Sequence, residues 1–380
     1  MAAGSGSAPV IPQDLLPEDG RFGCGPSKVP GLAVRRLAET GNLLLGTSHR
    51  QAPVRQLMGR IKETMADLFA APEGYEVVIG NGGATCFWDM ATVGLILHRS
   101  QHLVFGEFSA KFAQAVAAAP FLDSPEILRA APGTRPEPRV SEEVDCYCLT
   151  QNETSTGVAM PVLRLGDGGQ LVLVDATSAA GGMEVDLSEC DAYYFSPQKC
   201  FAADGGLWVA LLSPAAVERA RAIADSDRWV PPFLDLWGAI ESSRLDQTVN
   251  TPAIATLFLL AQQADWMQEH GGLKWAAARC RESSSLIYGW AQRSPYASPF
   301  VAREEDRSPV VATVDLDPAI SAAEVSAVLR QNGIVDTESY RKLGRNQLRL
   351  GLFPAVDPAD VQRLTAAIDW VVAMMSSRTG

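Results

Sequence analysis

Apolar residues recur at helical spacing over residues 52–70, at Val54, Leu57, Met58, Ile61, Met65, Leu68 and Phe69. That stripe predicts an amphipathic helix, with Pro53 suited to its first turn. A short strand is expected over 76–80, after which Asn81-Gly82-Gly83-Ala84-Thr85 opens a helix running to about Leu97. The pattern then repeats: strands at 102–106, 144–150, 170–177, 191–196 and 207–213, with helices at 110–119 and 214–224 among them. Unbroken apolar runs such as Leu171-Val172-Leu173-Val174, alternating with helices, predict an α/β fold whose mostly parallel sheet carries helices on both faces. Residues 225–252 show no period, so a long irregular insertion is expected there; such a loop in a compact domain is functional or covered by a partner. Beyond a helix at 253–269, ended by Gly271-Gly272, come helix 274–292, strand 309–315, helix 321–332, strand 347–352 and helix 358–375. These predict a smaller α+β domain. The expected organisation is an N-terminal segment (1–30) punctuated by Pro9, Pro12, Pro17, Pro26 and Pro30, a large domain (31–270) and a small C-terminal domain (271–380).

Composition narrows the classes. With 47% hydrophobic and 20% charged residues in 380, the chain has ample material for a globular core. No run approaches the roughly 18 uninterrupted apolar residues of a membrane-crossing helix, so no membrane partner is expected. Residues 1–12 lack a basic and an apolar region, and a cytoplasmic location is expected. The net charge of −12 argues against a nucleic-acid partner and implies that any anionic substrate meets locally concentrated arginines. Seven cysteines without framework spacing predict reduced thiols and no metal site.

The chemistry gathers where strands end, since open α/β sheets bind ligands at the carboxyl ends of their strands. Three consecutive strands deliver Gln151 to Gly157, Asp175-Ala176-Thr177-Ser178 and Ser196-Pro197-Gln198-Lys199. Lys199 follows an apolar run and is boxed by Phe195 and Phe201. It reads either as a surface lysine in a loop or as a desolvated amine with a lowered pKa, the profile of a Schiff-base lysine. Asp175 ends a buried strand, where an unpaired carboxylate is costly and a protonated pyridine nitrogen would serve as partner. The Gly83-Ala84-Thr85 turn is either an ordinary strand-to-helix connection or an anion cradle at a helix N-terminus. Phe108 is either a core aromatic or a flat surface for a cofactor ring.

Together these pieces resemble the phosphoserine aminotransferase family, within the class V group of fold-type I pyridoxal-phosphate enzymes and of actinobacterial type. The resemblance is carried, in order along the chain, by Gly25-Pro26, Ser48-His49-Arg50, Asn81 to Thr85, Asn152-Glu153-Thr154-Ser155-Thr156-Gly157, Val174 to Ser178, Ser196 to Lys199 and Asn250-Thr251-Pro252. It implies pyridoxal 5'-phosphate as cofactor, with Lys199 as its covalent attachment point and the group that moves the substrate proton. Asp175 would pair with the ring nitrogen, Phe108 would stack on the ring, and Thr154 would bond the ring hydroxyl region. Gln198, Gly83, Ala84 and Thr85 would hold the phosphate. Several relatives have an arginine in the glycine turn where this chain has Ala84-Thr85, so the cradle would lean on N–H groups and the Thr85 hydroxyl. Asn250 and Thr251 would reach the partner's cofactor phosphate across a homodimer interface.

The implied reaction transfers an amine from L-glutamate to 3-phosphohydroxypyruvate, giving O-phospho-L-serine and 2-oxoglutarate; some bacterial relatives also accept a phosphorylated four-carbon oxo acid of pyridoxine biosynthesis. Each substrate carries two acidic groups, which suits bidentate guanidinium pairing. By resemblance, His49 and Arg50 would form the side-chain anion site, Arg349 the α-carboxylate clamp and Arg341 a further anion contact; by itself each arginine also reads as a solvated surface residue. Within the fold, an alanine–glyoxylate type enzyme has less need of His49-Arg50, and a cysteine desulfurase needs a nucleophilic cysteine after Cys280, where there is none. A binding protein without cofactor is the alternative from another class.

Overall fold

The computed structural model describes residues 9–166 and 169–379. Helices α1 (Gly31–Leu44) and α2 (Ala52–Leu68) lead into β1 (Glu76–Asn81), α3 (Ala84–Gly94), β2 (Ser100–Val104), α4 (Glu107–Ala117), β3 (Glu126–Arg129) and β4 (Cys146–Thr150). A short hairpin, β5 (Asn152–Glu153) with β6 (Val158–Ala159), precedes β7 (Leu171–Asp175), β8 (Ala192–Phe195), β9 (Leu207–Leu212), α5 (Pro214–Ala224) and α6 (Leu236–Arg244). The remainder is α7 (Ile254–Glu269), α8 (Gly272–Arg293), β10 (Ala297–Pro299), β11 (Val311–Leu316), α9 (Ala322–Gln331), β12 (Gln347–Gly351) and α10 (Pro358–Thr379).

Seven strands form the large sheet in the order β1-β9-β8-β7-β4-β2-β3. All pairings are parallel except the two made by β9. Strands β4, β7, β8 and β9 are buried along their whole length. That explains their unbroken apolar sequences: side chains alternate between two covered faces. On one face Val172, Val174, Tyr193 and Phe195 pack with Leu57, Ile61 and Met65 of α2 and Leu257 and Leu260 of α7. On the other, Leu171, Leu173, Ala192 and Tyr194 pack with Phe87 and Trp88 of α3, Phe112 of α4, Ala216 of α5 and Leu236 of α6.

Some features differ from the expectation. The 225–252 stretch is not irregular throughout: α6 runs through it and buries Leu236, Ala239, Ile240 and Ser243, a spacing of three, four and seven residues. Its shortness, nine residues between polar loops, hides that period. Helix α1 lacks a strong signal because only Ala33 and Gly41 of its length are buried, leaving Leu32, Val34 and Leu43 exposed.

A second core joins β11, β12, α9, α10 and the latter part of α8, and it includes Ile11 and Phe22 from the N-terminal segment. Phe22 is wholly buried, its N–H donating to Val335 O at 3.2 Å and its carbonyl accepting from Gly351 N at 2.8 Å. The segment is thus stitched to the far end of the chain, and this holds Cys24 and Gly25 in place for the site described next. Replacing Phe22 by alanine should cost about 3–5 kcal/mol of stability. Urea unfolding would show this as a lower midpoint, and an unchanged midpoint would mean the anchor is dispensable.

Candidate active site

Parallel neighbours β4, β7 and β8 end together, with Thr150 level with Asp175 and Asp175 level with Tyr194. The three expected polar loops therefore converge on one edge. Lys199 sits at their centre, 7% exposed. Its Nζ donates to Cys24 O at 3.0 Å and to Thr154 Oγ1 at 3.3 Å. The loop that carries it is pinned from the N-terminal segment, Ser27 Oγ donating to Lys199 O at 2.7 Å and Ser27 N to Gln198 O at 2.8 Å. Burial brings the amine's pKa down from 10.5 to about 8. The nearby Arg349 charge acts in the same direction, and Asp175 opposes it. Of the two readings of Lys199, the desolvated amine is the one realised. Gly25 lies in the left-handed region (φ +136°), and a Cβ on it would fall 2.7 Å from Lys199 Cε and 2.8 Å from Nζ. Only glycine leaves that approach open.

Asp175 is 4% exposed. Its Oδ1 accepts from Thr177 N and its Oδ2 from Trp88 Nε1, both at 2.9 Å. Burial pushes the carboxyl pKa up, and the hydrogen bonds from Thr177 and Trp88 with the Lys199 charge pull against it. Thr154 Oγ1 donates to Ser178 Oγ at 2.8 Å, and Ser178 in turn donates to Asn152 O at 3.0 Å. Phe108, half-buried at the start of α4, has its ring centroid 5.5 Å from Lys199 Nζ and 6.1 Å from the ring of Tyr340. Arg349, on β12, donates from Nη1 to Thr154 O at 3.2 Å and lies 5.2 Å from the Tyr340 ring, while its buried Nε has no partner among the described residues. Gln198 Oε1 is likewise buried without a partner. Helix α3 starts at Gly83 with no side chain capping its first turn, so the N–H groups around Ala84 and Thr85 face outward uncommitted to any side chain. Gly83 lies close to the loop after β8, since a Cβ there would come 3.7 Å from Ser196 Oγ.

The other expected residues form a second group. His49, 7% exposed, has Nδ1 3.4 Å from Thr251 Oγ1 and a buried Nε2 without partner. Burial and the adjacent Arg50 charge lower its pKa. Asn81, at the end of β1, donates to Thr251 O at 3.0 Å and accepts from Asn250 N at 3.3 Å, linking this group to the glycine turn. The exposed side chains of Arg50 and Arg341 make no hydrogen bond or ion pair among the described residues. The structure thus gathers Lys199, Asp175, Thr154, Phe108, Gln198 and Arg349 in one centre; His49, Asn250 and Thr251 lie together beside it, and the two remaining arginines stand free.

Several participants had no signal of their own. Trp88 lies in an apolar run, Ser178 in a small polar turn, and Cys24 contributes a carbonyl. Glu153 is fully buried and accepts from Phe108 N at 3.1 Å, Ser109 N at 2.9 Å and Ser155 Oγ at 2.7 Å, fastening the start of α4 to the Thr154 loop. Phe108 and Ser109 lie more than 40 residues away in sequence, which is why spacing alone cannot reveal these partners.

Residues 25–339 match the model of the aminotransferase class-V family. The chain is a class V aminotransferase. A phosphoserine aminotransferase of Nocardioides sp. is 60% identical over 365 residues, covering 95% of this chain and 98% of the relative. One of Rhodococcus opacus is 56% identical over 370 residues, with 97% and 99% covered. Among solved structures, a phosphoserine aminotransferase from Cytophaga hutchinsonii superposes with a TM-score of 0.86 at 24% identity, covering 93% of this chain and 99% of that one. That from Bacillus circulans subsp. alkalophilus gives 0.82 at 19%, with 94% and 99% covered; both likenesses speak to the fold of this class V aminotransferase.

Because the Lys199 amine is held near 8, an amine-reactive reagent should label it with a rate that rises through about pH 8. Asp175→Asn removes the charge that favours the ammonium, so the midpoint should move to lower pH. A midpoint near that of free lysine, followed by peptide mapping, would contradict the buried-amine geometry.

Proposed function

We propose that the chain is a phosphoserine aminotransferase: it exchanges an amine between L-glutamate and 3-phosphohydroxypyruvate, giving O-phospho-L-serine and 2-oxoglutarate, with pyridoxal 5'-phosphate held at Lys199. The observation that carries the cofactor assignment is the buried pair of Lys199 and Asp175 on one sheet edge, with the first turn of α3 uncapped beside them. The residues fit that group. Gln198 has an amide oxygen without a partner among the described residues, the Asp175 oxygens keep acceptor capacity beside the hydrogen bonds from Thr177 N and Trp88 Nε1, and Phe108 flanks the amine. The identity to named relatives over nearly the whole chain supports the substrate assignment.

Pyridoxal phosphate, when bound, supplies an electron sink for charge that develops at the substrate Cα. In this reading the protein does the rest. Lys199 Nζ, with a pKa near 8, gives up and takes back a proton close to neutral pH, the range in which a general base and acid is most effective. Cys24 O and Thr154 Oγ1 aim that nitrogen. Asp175 would hold a positive ring nitrogen and Phe108 would pack against the ring. Gln198, Gly83, Ala84 and Thr85 would hold the phosphate. Arg349, already against Thr154, takes the substrate carboxylate, and the free guanidinium groups of Arg50 and Arg341 answer its second anionic group.

The reading includes a homodimer in the cytoplasm, in which Asn250 and Thr251 serve the partner's site. Asn250 and Thr251 are exposed, and the same 225–252 stretch exposes Trp229 (78%) and Phe233 (50%). Such a surface suits a partner. The activity test is a half-reaction: the cofactor-loaded enzyme should convert phosphoserine far faster than serine, and equal conversion would overturn the phosphate-site assignment. Arg50→Ala should lower kcat/KM for phosphoserine about 10- to 100-fold, the worth of a charged hydrogen-bonded contact, while cofactor uptake stays near that of the parent.

A further inference from the structure

The alternation of β7 puts Asp175 on the same face as Leu171 and Leu173, against α3, rather than on the α2 face with Val172 and Val174. From α3, Trp88 meets it: the indole is 4% exposed and its N–H donates to Asp175 Oδ2 at 2.9 Å. Trp88 is itself held by Phe112 of α4, the rings stacked at 6.2 Å with an interplanar angle of 17°. The first turn of α3, at Gly83 to Thr85, is the turn assigned above to the cofactor phosphate, and Trp88 lies one turn further on. One helix thus reaches the phosphate end of the site directly and the ring-nitrogen end through Asp175.

We propose that Trp88 is a positioning residue for Asp175: its indole N–H ties Oδ2 to α3 and keeps the carboxylate ionised, and so governs how firmly a pyridine nitrogen in this site stays protonated. The inference rests on the cofactor reading above. A buried carboxyl has two ways to lower its energy, taking a proton or accepting hydrogen bonds, and Trp88 makes the second available. The charged and titratable groups facing it are Lys199, which favours the ionised form, and the buried hydroxyls of Tyr193 and Tyr194, whose own ionisation burial and Asp175 oppose. Thr177 also supports the ionised form, its N–H donating to Oδ1, and Trp88 supplies the hydrogen bond that reaches Oδ2 from α3. Without Trp88 the proton of an Asp175–pyridine pair would shift toward the carboxyl, leaving a neutral ring and a weaker electron sink.

The test uses the full chain in two states. In the cofactor-free protein, the Asp175 carboxylate band is followed against pH by infrared difference between each variant and the same variant carrying Asp175→Asn. Trp88→Phe should move the midpoint to higher pH, and Phe112→Leu, which loosens the stack but leaves the donor, should leave it in place. Replacing Trp88 by benzothienylalanine, which keeps the ring shape and lacks the N–H, should reproduce the Trp88→Phe shift if that variant proves unstable. In the loaded enzyme, loss of the donor should cut kcat about tenfold with the glutamate KM within about twofold. An unchanged midpoint on losing the N–H, or an equal shift from Phe112→Leu, overturns the proposal in favour of packing alone. If the chain takes up no pyridoxal phosphate, the functional reading fails while the cofactor-free titration still reports the Trp88–Asp175 coupling.

Discussion

The site depends on keeping one amine out of water. Burying an ammonium is expensive, and the protein meets that cost with a carbonyl and a hydroxyl at hydrogen-bond distance and with a carboxylate nearby. Those compensations come from three places in the chain. Cys24 O arrives from the N-terminal segment, Thr154 from the hairpin after β4, and Asp175 from the end of β7. The segment can supply Cys24 only because Phe22 is locked into the C-terminal core, and the hairpin can supply Thr154 only because Glu153 is bound to the start of α4. Much of the architecture around the sheet edge can be understood as holding these three groups against Lys199 Nζ.

That arrangement separates two tasks. The inner group, centred on Lys199, is dense and buried; its partners are already hydrogen-bonded, so it is preorganised for proton movement. The guanidinium groups of Arg50 and Arg341 are exposed and, among the described residues, unpaired, which suits the capture of an incoming anion whose position varies with the substrate. Asn81, which ends the strand leading into the glycine turn, is bonded to Asn250 and Thr251. A net charge of −12 makes this local concentration of positive groups matter more, since the rest of the surface repels anionic ligands.

The large sheet and most helices were legible in the chain because burial on both faces leaves unbroken apolar strands and burial on one face leaves a helical stripe. Helix α1 was not, since it buries little; α6 was not, since nine residues are too few to display a period; and β3, half-buried at the sheet's edge, carries no alternation. Within the site, residues whose chemistry is intrinsic stood out: Lys199, Asp175 and the arginines. Residues that act through a backbone atom or through a partner distant in sequence did not. Cys24 works by its carbonyl, Gly25 by the space it leaves, and Trp88 by an N–H that the surrounding apolar run conceals. Motif resemblance included Gly25 and Glu153 but could not say what each touches.

The attachment of the N-terminal segment also sets an order of events. Ile11 N donates to Asn332 Oδ1 across 321 residues of chain, and Phe22 meets Val335 and Gly351. During synthesis the segment around Ile11 and Phe22 must therefore wait for residues 332–351 before it can dock. Until then the lysine loop lacks its Cys24 carbonyl and its Ser27 clasp. The large sheet can assemble as it emerges, but the amine is seated only once residues 332–351 have been made, so a product ending before them would carry Lys199 without the surroundings that hold it.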